Sequence, residues 1–127
     1  PGVDASRLAI VGFSRGGLLT LQAALEWPSE WNAVVLMAPA PGNNSMDLTL
    51  QDVSALAAPV LIQVCENDLS QANHVQIVED VKAAFDAASK EYTSHLYPPY
   101  GDDGHELFWE VQEPYWSDLL DFLTEHL

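Results

Sequence analysis

Positive charge is what this chain lacks most. Arg7, Arg15, Lys82 and Lys90 are its only formal cations, against 19 Asp and Glu residues, and the formal net charge is −15 at pH 7. A surface so poor in Lys and Arg excludes binding of nucleic acid or anionic lipid through a basic patch, because that mode works by neutralising phosphates. Cys65 is the single cysteine. An internal disulfide is therefore excluded and the redox compartment stays open, with a cytoplasmic location as the default expectation. No uninterrupted apolar run approaches the ~20 residues that a membrane-spanning helix needs. The histidines show no H-E-x-x-H spacing and Cys65 has no cysteine partner, so no metal site and no cofactor are expected. What remains is 127 residues, of which 48% are hydrophobic. That composition belongs to a folded chain and not a disordered one, and the length suits one domain, residues 1–127, with one core.

Apolar and helical patterns alternate along the chain, which points to a parallel sheet with covering helices. The apolar run Leu8 to Phe13 reads as a strand, and Arg15 to about Trp27 as the helix after it, stopped near Pro28. Ala33 to Ala38 is continuously apolar, as a strand buried on both faces should be. Pro39 to Gln51 carries Pro41, Gly42, Asn43 and Asn44 and reads as a loop, followed by a short helical turn within Asp52 to Ala57. Pro59 opens a strand over Val60 to Cys65. Gln71 to Ser89 reads as a helix whose Val75, Val78, Val81, Phe85 and Ala88 recur at helical spacing. Thr93 to Tyr97 is a shorter, more polar strand, expected at an edge. A loop over Pro98 to His105 precedes the closing helix, Pro114 to Leu127, with Trp116, Leu119, Leu120, Leu123 and Leu127 as its expected apolar face. The expected fold class is α/β: a three-layer sandwich with a mainly parallel sheet of about four strands and helices on both faces.

The informative segment is Gly12-Phe13-Ser14-Arg15-Gly16-Gly17. A G-x-S-x-G pattern between a strand and a helix is the setting of a nucleophile elbow, a sharp turn that lifts the serine Oγ clear of the backbone. Its glycines are expected because a Cβ would clash where strand and helix pack closely. A serine of ordinary pKa is a poor nucleophile and needs a base to take its proton and an acid to orient that base. Asp68 follows the third strand and His105 lies in the loop after the fourth, so with Ser14 they fall at the same end of a parallel sheet. The order Ser, Asp, His along the chain fits. Asp68 could instead cap the helix that follows it. Glu66 is a competing acid that falls where the strand is still ending. His74, His95 and His126 read as structural or solvent-facing. The backbone N–H of Arg15 is the expected oxyanion donor, and its side chain is expected to pair with a nearby acid in preference to an anionic substrate. Phe13 and Trp109 are candidate pocket walls, the latter for its closeness to His105.

The stretch Val3-Asp4-Ala5-Ser6-Arg7-Leu8 up to Gly17 resembles the elbow region of α/β-hydrolases, in the dienelactone-hydrolase-like and prolyl-oligopeptidase-like branches. Pro59 to Asp68 resembles the acid strand and its loop, and Gly104-His105-Glu106-Leu107-Phe108 the histidine loop. The resemblance covers the whole chain but only the second half of the family fold. It implies a serine hydrolase of esters or related acyl bonds, with Ser14 as nucleophile, His105 as general base and Asp68 as its orienter. Dienelactone hydrolases proper use cysteine as nucleophile, so Ser14 implies an esterase-like or peptidase-like member. In the family the elbow strand lies mid-sheet. Here only Pro1 to Arg7 precede it, so one of its edges is expected to lack a strand and to be covered by a missing N-terminal half or by a second copy in a homodimer. A second oxyanion donor has no source in this sequence. The rival expectation is therefore a non-catalytic assembly or binding module; the expected partner of the hydrolase reading is a small acyl substrate.

Overall fold

The computed structural model of the protein describes residues 2–127. Its parallel sheet consists of β1 (Ala9–Phe13), β2 (Ala33–Met37), β3 (Val60–Cys65) and β4 (Tyr92–Tyr97), in the order β1-β2-β3-β4. Register runs from Ala9 opposite Ala33 to Phe13 opposite Met37, and from Val60 opposite Tyr92 to Cys65 opposite Tyr97. The carboxyl ends of the strands therefore come level, and the loops after them share one rim of the sheet. The helices are α1 (Arg15–Glu26), α2 (Ser45–Leu50), α3 (His74–Ala87), α4 (Leu107–Glu110) and α5 (Tyr115–His126), with 3-10 turns at Val53–Ala55 and Gly104–Glu106.

Alternation within the inner strands decides which helix covers which face. Val34, Leu36, Val60 and Ile62 pack with Leu18, Leu21 and Ala24 of α1 and with Val78, Val81 and Phe85 of α3. The intervening residues Ala33, Val35 and Leu61 point the other way, onto Leu119 and Phe122 of α5. β2 and β3 are thus buried on both sides, which is why they read as unbroken apolar runs. This is the three-layer α/β sandwich expected. The elements β1, β2, β3, α1 and α3 fall where the sequence places them, α3 beginning later than Gln71.

Two details differ from the sequence reading. The segment expected as loop through Gln51 contains α2, whose Met46 and Thr49 are buried. The short element was hidden by its Asn and Gly approach. In α5 the buried face is Tyr115, Leu119 and Phe122, a stripe at i, i+4, i+7, while Trp116 and Leu120 are exposed. The expected face was rotated by about one residue: both registers offer apolar side chains, and only the sheet selects one. β4 lies at one edge of the sheet as expected, and β1 lies at the other, with Val11 exposed. No helix among the described residues is long and apolar enough to cross a membrane.

Candidate active site

Ser14 sits between β1 and α1 with φ 55° and ψ −118°. A non-glycine residue in that region is strained, and such conformations persist only where the surroundings over-determine them. Here they do. Ser14 N–H donates to the Met37 carbonyl (2.9 Å), and its carbonyl accepts from Gly17 N–H (3.0 Å) and Ala40 N–H (2.8 Å). Gly12 is needed for the turn, since a Cβ there would run into the Gly16 carbonyl and the Thr20 hydroxyl. Gly17 is packed against Pro39, whose Cα would lie 3.0 Å from an added Cβ. Gly16 departs from expectation: nothing lies within 4 Å of its Cβ position. The tight approach of helix to its surroundings falls one residue later than the motif pattern implies.

Asp68 and His105 arrive from separate loops and meet at Ser14. His105 Nδ1 is 2.7 Å from Asp68 Oδ2, and His105 Nε2 is 2.9 Å from Ser14 Oγ. Asp68 and His105 are fully buried. Burial acts to raise the Asp68 carboxyl, but contacts from His105 and His74 outweigh it and hold the group below its ordinary value. The ionised carboxylate only accepts hydrogen bonds, so Nδ1 of His105 must carry the ring hydrogen. That leaves the Nε2 lone pair facing the Ser14 hydroxyl. Asp68 does not cap α3; Asn73 does, accepting from Gln76 N–H at 2.9 Å. Glu66 is exposed.

The two loops are joined by groups that carry no motif. Asn67 Nδ2 donates to the carbonyls of Tyr100 and Gly101, both at 3.1 Å. Asn67 Oδ1 accepts from Tyr100 N–H at 2.9 Å, and Gly104 N–H donates to the Asn67 carbonyl at 3.2 Å. Asp103 accepts from the backbone N–H of His105 at 3.0 Å and from the Ser70 hydroxyl. It thus holds the His105 backbone and not its ring. Asn67 adjoins Asp68 in sequence, yet nothing in its type or spacing distinguishes it from a turn residue.

The Arg15 N–H is in the first turn of α1, where no intrahelical carbonyl can take it, and Ser14 supplies no side-chain cap. It is free to serve an anionic oxygen. The Arg15 side chain makes no ion pair among the described residues, contrary to expectation. It lines a cavity of about 320 Å³ with Leu18, Gln22, Asn43 and Ser45. Phe13 and Trp109 flank the His105 ring, with centroids 4.6 and 5.7 Å away, and Trp109 is half exposed. A further cavity, about 560 Å³, lies at the opposite end of the sheet, beside Pro59, Val60, Tyr92 and Thr93, away from Ser14.

Of the two readings the sequence left for His74, structural or solvent-facing, burial selects the first. Its Nδ1 is 2.8 Å from Asp68 Oδ1 and its ring is stacked on His105 at 4.4 Å. Asp68, His74 and His105 could in principle ligate a metal. Zinc stands about 2.0–2.2 Å from each ligand, so atoms 2.7–2.8 Å apart are close enough to contact one another directly and are poorly spread around an ion. His95 and His126 lie near Asp118 and Glu125, at 3.8 and 3.9 Å, and take no part.

A serine at a strained strand–helix turn, with an acid and a histidine delivered by later loops at the same sheet rim, defines the chain as an α/β-hydrolase-fold protein. The match to the model of the dienelactone hydrolase family extends over residues 1–126, and the chain belongs to that family. A candidate dienelactone hydrolase from Klebsiella pneumoniae is 25% identical, with TM-score 0.73, over 98% of this chain and 54% of that one. Dipeptidyl peptidase 4 from Porphyromonas gingivalis superimposes with TM-score 0.78 at 23% identity, over 98% of this chain and 20% of that one. Esterase B from Lactobacillus rhamnosis, solved with a tributyrin phosphonate inhibitor, gives TM-score 0.73 at 18% identity, over 98% of this chain and 53% of that one. The chain therefore spans from a fifth to about half of these structures. Among curated proteins, none matches it significantly.

Proposed function

We propose that this chain carries the catalytic residues of a serine hydrolase acting on an ester or related acyl bond. The observation that carries the reading is the unbroken contact from Asp68 through His105 to Ser14, at 2.7 and 2.9 Å, assembled from three separate loops. In this reaction Ser14 Oγ attacks the acyl carbonyl while His105 Nε2 takes its proton. Asp68 stabilises the imidazolium through Nδ1, and the Arg15 N–H receives the oxyanion. His105 then protonates the leaving alcohol. Water, deprotonated by the same Nε2, releases the acyl group from Ser14 and restores the enzyme. This chemistry asks for no cofactor. Phe13 and Trp109 form walls beside the reacting centre. The names of the structural neighbours favour carboxylic esters, with a peptide bond as the alternative acyl substrate.

The experiment is mass spectrometry after exposure to a fluorophosphonate, with Ser14→Ala beside the parent. A single adduct on Ser14, absent from the variant, supports the reading. A folded parent that stays unlabelled refutes it for this chain.

A second reading, an assembly or binding module, is favoured by the outer edge of β1. No strand pairs there among the described residues, and Val11 of this strand is exposed. An unpaired apolar edge is a template for another strand, supplied by a second copy or by an N-terminal half of the fold. That covering segment is also where a second oxyanion donor would come from, and loss of one such donor costs about 10²–10³ in turnover. Sedimentation of the chain alone separates the occupants: dimers support the second copy, and monomers exclude it.

A further inference from the structure

We propose that His74 is a positioning residue for the Asp68–His105 pair, holding the second oxygen of the carboxylate and backing the histidine ring; this rests on the hydrolase reading above. A carboxylate held through one oxygen can still pivot about the bond to its Cβ. Asp68 Oδ2 is taken by His105 Nδ1 at 2.7 Å, and Oδ1 faces His74 Nδ1 at 2.8 Å. Contacts on both oxygens fix the carboxylate plane, and with it the direction in which His105 is held. Neither Asp68 Oδ1 nor His74 Nδ1 has a well-aligned hydrogen-bond partner among the described residues. Their short separation is thus an electrostatic contact with the ring turned off the ideal line, and each is the polar group that the other faces. Asp68 is 0% exposed and His74 2%, so water does not replace the contact. An ionised carboxylate oxygen at this distance favours the His74 tautomer with its hydrogen on Nδ1, since a lone pair on that nitrogen would repel the oxygen.

The backbone serves the same end. His74 N–H donates to the Asp68 carbonyl at 3.1 Å, closing the loop between them, and Asn73 caps α3 immediately before it. His74 is therefore held on a helix start whose position is fixed relative to Asp68. Its ring then stacks on His105, centroids 4.4 Å apart and planes within 25°. His105 is held by a hydrogen bond at one nitrogen and by the face of a second imidazole, so its Nε2 stays aimed at Ser14.

The test separates the donor from the ring. His74→Asn places an amide N–H where Nδ1 stood but removes the ring; His74→Phe keeps a ring and removes the donor. The readouts are the fluorophosphonate labelling rate of Ser14 and the NMR signals of the His105 and His74 imidazole nitrogens and their protons. Phe should slow labelling by about 10- to 100-fold, by analogy with the range for outer partners of metal-ligating histidines, and should shift the His105 Nδ1–H resonance. Asn should label nearer to the parent rate. Phe labelling at the parent rate with an unmoved His105 resonance overturns the proposal, and so does a parent His74 whose Nδ1 carries no hydrogen. If the Phe variant does not fold, the His74 tautomer and the Asn variant decide. A parent that never labels counts against the hydrolase reading, while the NMR comparison still decides the role of His74.

Discussion

Replacing Gly104 with alanine should push apart the two loops that carry Asp68 and His105. A Cβ at this position would lie 2.5 Å from Asn67 Oδ1, 2.8 Å from Asp68 N and 2.9 Å from Cys65 Cβ. The last two belong to backbone and to a buried side-chain root, and neither can swing aside. Asn67 Oδ1 ends a side chain, but it is held by Tyr100 N–H at 2.9 Å and by the Cys65 thiol at 3.3 Å. Relief must come from moving residue 104 itself, which stretches its N–H bond to the Asn67 carbonyl. Overpacking of this kind costs about 1–3 kcal/mol, and loss of the hydrogen bond adds about 0.5–1.5 kcal/mol. The expected destabilisation is therefore about 1.5–4.5 kcal/mol, the sum of those ranges. The next residue is His105, so its ring moves with the loop. On the proposed hydrolase reading, in which His105 is the base, a displacement near 1 Å costs on the order of 10²-fold in rate. Urea unfolding reads the first effect, and the rate of fluorophosphonate addition to Ser14 reads the second. An alanine variant with the parent's unfolding midpoint and labelling rate would refute the claim that Gly104 sets the approach of the two loops.

The elbow glycines make a contrasting pair. Gly16→Ala, within a helix and with open space at its Cβ, should stabilise the chain by about 0.5–1 kcal/mol, whereas Gly12→Ala should destabilise it by at least about 1–3 kcal/mol; thermal unfolding of both decides. Ser14→Gly should abolish labelling yet be more stable than Ser14→Ala, since both lose the hydroxyl that meets His105 and only glycine relieves a backbone at φ 55°, recovering about 1–3 kcal/mol against about 0.5–1 kcal/mol of added glycine entropy; a glycine variant less stable than the alanine one would contradict the strain. The folded Asp68 carboxyl lies below its ordinary value, so the native state binds fewer protons than the unfolded one. Its contribution is fully present above the unfolded pKa of about 3.9 and is lost as pH falls through the folded value. The unfolding midpoints of parent and Asp68→Asn should differ by a constant amount from neutrality down to that range and converge below it; a gap that closes near pH 6 would assign the effect to a histidine. Phe85→Ala, at a fully buried position between α3 and the sheet, should cost about 3–5 kcal/mol in the same assay.

The layers of this fold were legible because β2 and β3 are buried on both faces and therefore apolar without interruption, and because α3 repeats its apolar residues at helical spacing. The face of α5 was not, since Tyr115, Trp116, Leu119, Leu120, Phe122 and Leu123 offer two overlapping stripes and local periodicity cannot choose between them. The same distinction governs the site. The meeting of Ser14, Asp68 and His105 could be anticipated because each lies in a segment that follows a strand, where topology converts sequence order into spatial proximity. His74 and Asn67 could not. The first lies at the start of a helix that the pattern begins earlier, at Gln71, and its meaning depends on which way the helix turns its first residue. The second does its work largely through backbone groups of Tyr100, Gly101 and Gly104, and any residue type can supply those. Residues that perform bond chemistry must have particular functional groups, so their types are informative. Residues that hold them in place need only a donor or acceptor at the right point in space, and that point exists only once the loops have closed.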